Sequence, residues 1–104
     1  MQLMTKELEG KLPKLRTETN DDTLVLVHYF NPAGRGNWFG MTYDPKERMF
    51  FGYVSLFGDW NDELGYFSLD ELESLKLPLG LSIERNLGFN PKPLKDIKNE
   101  YTRA

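Results

Sequence analysis

The sequence predicts an α+β domain: an antiparallel sheet of about four strands with three helices, in the order α-β-β-β-β-α-(β)-α. Three observations predict it. Apolar runs rich in β-branched and aromatic residues recur at positions 24–30, 38–43 and 49–57, each bounded by Gly, Pro, Asn or Asp. The connections between these runs are short, so neighbouring strands run antiparallel. Helix-start signals flank the block at Thr5, Ser68 and Pro93. With 104 residues, 39% hydrophobic and 28% charged, the chain reads as one globular domain with a modest core.

Each element has a local reason. Thr5 is a suitable N-cap for a first helix carrying Leu8 and Leu12 on one face, with Leu15 as a further candidate if the helix runs on. Pro13 ends it, because the residue before a proline avoids the helical region. Residues 17–22 are polar and form a loop. The run LVLVHYF at 24–30 is a strand, and strict alternation puts His28 on one face with Leu24, Leu26 and Phe30. NPAGRGN at 31–37 is a turn-rich connection to the strand at 38–43. Asp44-Pro45-Lys46 places proline where a type I turn favours it. MFFGYVSLF at 49–57 is the longest strand, and a short fourth strand follows at 65–67.

Ser68 and Glu71 form a capping box that satisfies orphan amides at a helix start. Asp70 and Glu71 also suit the positive end of the helix dipole. Leu69, Leu72 and Leu75 recur at three-residue spacing towards the core, and Pro78 and Gly80 stop the helix. Residues 81–89 hold a short strand or extended connector. Pro93 opens a last helix with Leu94, Ile97 and Tyr101 on one face.

The chemistry is sparse. There is no Cys, so the chain has no disulfide and no thiolate site, and a reducing cytoplasm is the expected location. No signal peptide opens the sequence, and no apolar run approaches the ~18 residues that a membrane span needs. His28 is the only histidine, and a zinc site needs further ligands of the right type. It reads as a structural or surface residue. Gly34-Arg35-Gly36 resembles an anion-binding nest but lacks the lysine and hydroxyl of a phosphate loop, so it reads as a turn. No catalytic, cofactor-binding or metal-binding residue is assigned, and no cofactor is expected. A small hydrolase built on His28 or a carboxylate pair is the weakest of three functional readings.

The other two readings rest on charge. Net charge is −3, which is mild. From Asp59 to Leu75 there are six acids and no Lys or Arg; from Lys92 to Arg103 there are four basic residues and two acids. Asp70 and Glu71 are explained by capping. Asp59, Asp62 and Glu63 flank Trp60 and are not. An aromatic within a charged rim suits a protein contact, so Asp59, Trp60, Asp62, Glu63 and Glu73 are the candidates for binding a partner with a basic surface. The alternative is nucleic-acid binding through Lys92, Lys95, Lys98 and Arg103, aided by strand aromatics (Trp38, Phe39, Tyr43, Phe50, Phe51, Tyr53, Phe57) as a stacking platform. Alternation sends about half of those aromatics into the core, and the nearby basic residues Arg35, Lys46 and Arg48 lie in turns.

Several strings carry a family resemblance: LMTKEL at 3–8 with Leu12-Pro13, Phe51-Gly52, ELGYFSLDEL at 63–72, and PLGLxIER at 78–85 with FxPKPL at 89–94. They closely resemble the bacterial domain-of-unknown-function family numbered 2958, over nearly the whole chain. The resemblance implies a small stand-alone protein of the kind often carried on plasmids, integrative elements and phage-like regions. It implies no catalytic motif. Asp59-Trp60-Asn61-Asp62 falls outside the family pattern, so a role for Trp60 would be particular to this chain. The expectation is a non-enzymatic accessory module of a mobile element that binds a host or element-encoded protein.

Overall fold

The computed structural model describes residues 1–56 and 62–101. Their elements are α1 (Lys6–Lys11), β1 (Leu24–Val25), β2 (Val27–Phe30), β3 (Asn37–Asp44), β4 (Met49–Ser55), β5 (Glu63–Ser68), α2 (Leu69–Ser74), a 3-10 turn (Pro78–Gly80), β6 (Glu84–Arg85), β7 (Lys92–Pro93) and α3 (Leu94–Tyr101). Five strands form one sheet in the order β5-β4-β3-β2-β6, and β1 pairs with β7 as a separate ribbon. Every pairing between these strands is antiparallel. The class is α+β, as the sequence predicts.

The caps form as their chemistry requires. Thr5 accepts the Leu8 amide at 3.1 Å, and α1 stops with Leu12 extended just before Pro13. Ser68 accepts the Glu71 amide at 3.2 Å.

Several details depart from the sequence expectation. The 24–30 run is two strands, because the chain changes sheets at Leu26: β1 pairs with β7 and β2 joins the main sheet. Val25 then packs in one core while Val27 and Tyr29 pack in the other, so the single face expected for Leu24, Leu26, His28 and Phe30 does not form. The fourth strand is longer than expected, spanning Glu63–Ser68. Leu75 is exposed because α2 ends at Ser74 and Leu75 is extended. Pro93 belongs to β7, and the last helix begins one residue later.

The sheet has a core on each face. Leu3, Val27, Tyr29, Tyr43, Phe50 and Phe67 pack with Leu69 and Leu72 of α2, and Leu8 and Leu12 lie against them. Val25, Phe39, Met41 and Tyr53 pack with Leu94 and Ile97 of α3 on the opposite face. A β-bulge in β3 makes both possible. The register passes from Gly40↔Gly52 to Thr42↔Phe51, leaving Met41 as the extra residue. One inserted residue reverses the alternation. Phe39 and Met41 therefore face α3, while Tyr43 faces the other core.

Glycine permits this crossing. A Cβ at Gly52 would stand 1.8 Å from the Phe39 carbonyl oxygen, and one at Gly40 would stand 2.8 Å from Val27 Cγ1 and 2.9 Å from a Phe50 ring carbon. No rotamer change relieves the first clash, because it is with backbone. Gly52→Ala is therefore expected to destabilise by ~3 kcal/mol or more, or to prevent folding. Gly65, opposite Gly52 on β5, is different: a methyl group there would meet nothing within 4 Å, and Gly65→Ala should change stability by less than ~1 kcal/mol. Urea unfolding of the two variants checks both values.

Candidate functional site

Polar side chains gather at one end of the sheet, on the face that α3 covers. His28, on β2, lies flat on Phe39 with ring centroids 4.5 Å apart, and Phe89 and Tyr101 complete an aromatic surround. Its two nitrogens are both engaged. Asn86 Oδ1 accepts the Gly88 amide at 3.1 Å, which fixes the amide so that Asn86 Nδ2 faces His28 Nδ1 at 3.1 Å. Nδ1 is thus the acceptor, and Nε2–H donates to Asn37 Oδ1 at 2.7 Å. A histidine whose basic lone pair is already taken is an orienting group rather than a ready proton acceptor.

Asn37 stands opposite Ser55 across the β3–β4 ladder. Ser55, fully buried, donates its hydroxyl to Asp62 Oδ2 at 2.7 Å. The other carboxylate oxygen, Asp62 Oδ1, is buried and has no hydrogen-bond partner among the described residues. The bond to Ser55 ties the start of β5 to the end of β4.

Three clefts open around this end. One, of about 370 Å³, is lined by His28, Phe30, Asn31, Asn37 and Asn86 with the glycines of the 31–36 loop. A second, about 410 Å³, lies between that loop, Ser55, Leu56 and Tyr101. A third, also about 410 Å³, is bounded by Tyr53, Asp62, Glu63, Leu64, Lys98 and Asn99. The loop is self-supporting: Asn31 Nδ2 donates to the Arg35 carbonyl at 3.2 Å, and the Asn31 amide donates to the Gly36 carbonyl at 3.0 Å. Gly36 has φ 135°, a value that favours glycine, which accounts for the second glycine of the Gly-Arg-Gly string without a ligand.

The residues singled out in the sequence separate into groups. Asp62 and Glu63 share the third cleft with Lys98, so part of the acidic segment meets part of the basic helix. Glu73 lies elsewhere, on α2, where Arg48 binds it at 2.5 Å and Asp70 at 2.6 Å. Arg48 sits at φ 54° in the β3–β4 turn, and its pKa is raised by those two carboxylates, Asp70 first. Lys92, Lys95 and Lys98 each pair with an acid of the same chain: Glu100 at 2.9 Å, Asp22 at 2.9 Å and Asp21 at 2.8 Å. Asp59, Trp60, Phe57 and Arg103 lie outside the described residues. Of the proposed stacking aromatics, Phe39, Tyr43, Phe50 and Tyr53 are buried, and Trp38 and Phe51 are half-buried.

Sequence reading missed Asn37, Ser55 and Asn86. The one signal was Asn37 itself, since asparagine is depleted in strands and here opens one beside the only histidine. Among the described residues no helix is long and apolar enough to cross a membrane, and no cluster of His, Cys, Asp or Glu is suited to a metal ion.

Burial pushes the His28 imidazole below its ordinary pKa, the bond to Asn37 opposes that shift, and the Lys92 charge adds to it. The folded chain therefore resists a proton that the unfolded chain accepts near pH 6.5. The stabilising contribution of neutral His28 is complete above that pH and is lost as pH falls below it. Unfolding free energy should drop as pH falls below about 6.5, by at most ~1.4 kcal/mol per pH unit. His28→Gln should be less stable at neutral pH and should lack this decline, which urea titrations at fixed pH values would show.

No curated protein and no solved structure matches this chain. A family model described as "Protein of unknown function (DUF2958)" matches residues 2–99. That span takes in both cores, the His28–Asn37 pair, Asp62 and nearly all of α3, so the chain belongs to the DUF2958 family.

Proposed function

We propose that the protein is a non-enzymatic, cytoplasmic protein-binding module, an accessory factor of a bacterial mobile genetic element that modulates a host system. Its contact surface is the acidic end of the sheet where β5 begins. Asp62 and Glu63 are the described part of that surface, and Asp59 and Trp60 precede them in sequence. The observation that carries this reading is the contrast in charge pairing. Lys92, Lys95, Lys98 and Glu73 are each matched within the chain. Among the described residues, neither Asp62 nor Glu63 makes an ion pair, and both line a cleft wide enough for a partner side chain, whose one cation, Lys98, is bound to Asp21. A lysine or arginine entering there would meet the exposed Glu63 carboxylate beside Asp62.

Nucleic-acid binding through the last helix has less support. Its lysines, Lys95 and Lys98, are held by Asp22 and Asp21, and Lys92 of β7 is held by Glu100, so each phosphate contact would first have to displace a carboxylate.

The test is capture from host lysate by the tagged protein, with and without nuclease, at low and high salt. A basic protein should be retained at low salt, survive nuclease and be released by high salt. Glu63→Lys combined with Asp62→Asn should lose it while keeping the native circular dichroism spectrum. Unchanged capture by that variant contradicts the reading, and capture lost on nuclease treatment moves the contact to Lys92, Lys95, Lys98 and Arg103.

A further inference from the structure

The two edges of the main sheet are unlike. The β6 edge is two residues long and is covered by the chain's own start: the Arg85 amide donates to Met1 Sδ at 3.2 Å and Arg85 Nε to the Gln2 carbonyl at 3.2 Å. The β5 edge is six residues long, Glu-Leu-Gly-Tyr-Phe-Ser, with no proline, no lysine and no bulge. Those are the usual devices that stop an edge from pairing.

The register shows which groups face outwards. The Leu69 amide donates to the Arg48 carbonyl at 2.9 Å, so bonded pairs along β4–β5 fall at Phe50–Phe67, Gly52–Gly65 and Val54–Glu63. The backbone groups of Leu64 and Tyr66 therefore point away from the sheet, and no hydrogen bond to them is found among the described residues. Their side chains are also exposed, Leu64 by 41% and Tyr66 by 67%, on the α3 face of the sheet but beside the helix rather than beneath it. Tyr66 stands edge-on to the half-buried Phe51 at 5.0 Å.

We infer that β5 pairs with β5 of a second copy of this chain, antiparallel about a two-fold axis at Gly65. This goes beyond the acidic contact proposed above and does not depend on it. The strand is self-complementary about that point. Leu64 of each copy meets Tyr66 of the other, giving two apolar–aromatic cross-strand pairs on one face. The outward N–H and C=O groups of Leu64 and Tyr66 make four hydrogen bonds, completing both edges. Glu63 falls opposite Phe67, so the two Glu63 carboxylates stay ~13 Å apart along the seam. Gly65 meets Gly65 at the axis, where neither backbone is held off by a side chain. A continuous ten-stranded sheet results, with Phe51, Leu64 and Tyr66 of both copies in one apolar strip.

The chain has no cysteine, which makes the register directly testable. At the axis, Gly65 Cα atoms of the two copies approach to ~4.5 Å, within the ~4.4–6.8 Å span of a disulfide. Tyr66 Cα atoms stay more than ~8 Å apart, beyond it. Gly65→Cys should therefore cross-link nearly completely to a dimer under mild oxidation, and Tyr66→Cys, although more exposed, should not. By sedimentation equilibrium the unaltered chain should dimerise, and Leu64→Lys with Tyr66→Lys should weaken that dimer ~100-fold or more. A chain that stays monomeric to millimolar concentration overturns the inference. So does a dimer in which both cysteine variants cross-link equally, or one that the double lysine variant leaves unchanged.

Discussion

The close crossing of Gly52 beneath the Phe39 carbonyl is the constraint on which the other features depend. It lets β3 carry an extra residue at Met41 while still pairing with β4 on both sides of the bulge. A sheet with unbroken alternation would send Tyr43 to the same face as Phe39 and Met41. With the bulge, Tyr43 turns to Phe50 and Tyr29, and Phe39 and Met41 remain under α3. A chain of this length thereby fills two thin cores instead of one thick one, each built mainly of aromatic rings that bury much area per residue. The second change of face, at Leu26, answers the first. It takes Val25 to the α3 side and into the ribbon with β7, which leads straight into α3.

That geometry also decides where polar chemistry can sit. His28 falls on the α3 face one position beyond the reach of Leu94 and Ile97, where the helix ends in Tyr101. A neutral imidazole stacked on Phe39 and held by two asparagines rigidifies this end without placing a charge in the core. Ser55 performs the equivalent service for Asp62. The site is thus a fixed polar rim at one end of the sheet. Its acids line a cleft beside α3, while the lysines along that helix are already matched within the chain.

Much of the fold was legible because its signals are local. The Thr5 and Ser68 caps, the Pro13 stop and the Asp44-Pro45 turn each depend on a few adjacent residues, and each forms where the sequence places it. What was not legible depends on distant partners. The split of 24–30 needs β7, from near the other end of the chain, to pair with Leu24 and Val25. The bulge at Met41 shows in sequence only as two glycines, and nothing local says that a carbonyl will lie over one of them. For the site, charge runs drew attention to Asp62 and Glu63 in one reading and to Lys98 in another, and only the fold brings the three to one cleft. Those runs could not show that Asp21 and Asp22, from a loop read as plain, neutralise Lys98 and Lys95. Glu73 looked like part of the same acidic segment, but the strand between it and Glu63 carries it to the Arg48 turn.

The self-complementary edge at β5, unpaired among the described residues, is the feature with the widest consequence, since pairing there would present two acidic ends on one continuous sheet. Amide hydrogen exchange along β5, followed against protein concentration, examines it most directly. The Gly65 and Phe67 amides, bonded to β4, should be protected at every concentration. The Leu64 and Tyr66 amides should exchange freely in dilute solution and become protected together as concentration rises. Protection of those two amides even at high dilution, or free exchange at every concentration, would contradict the account.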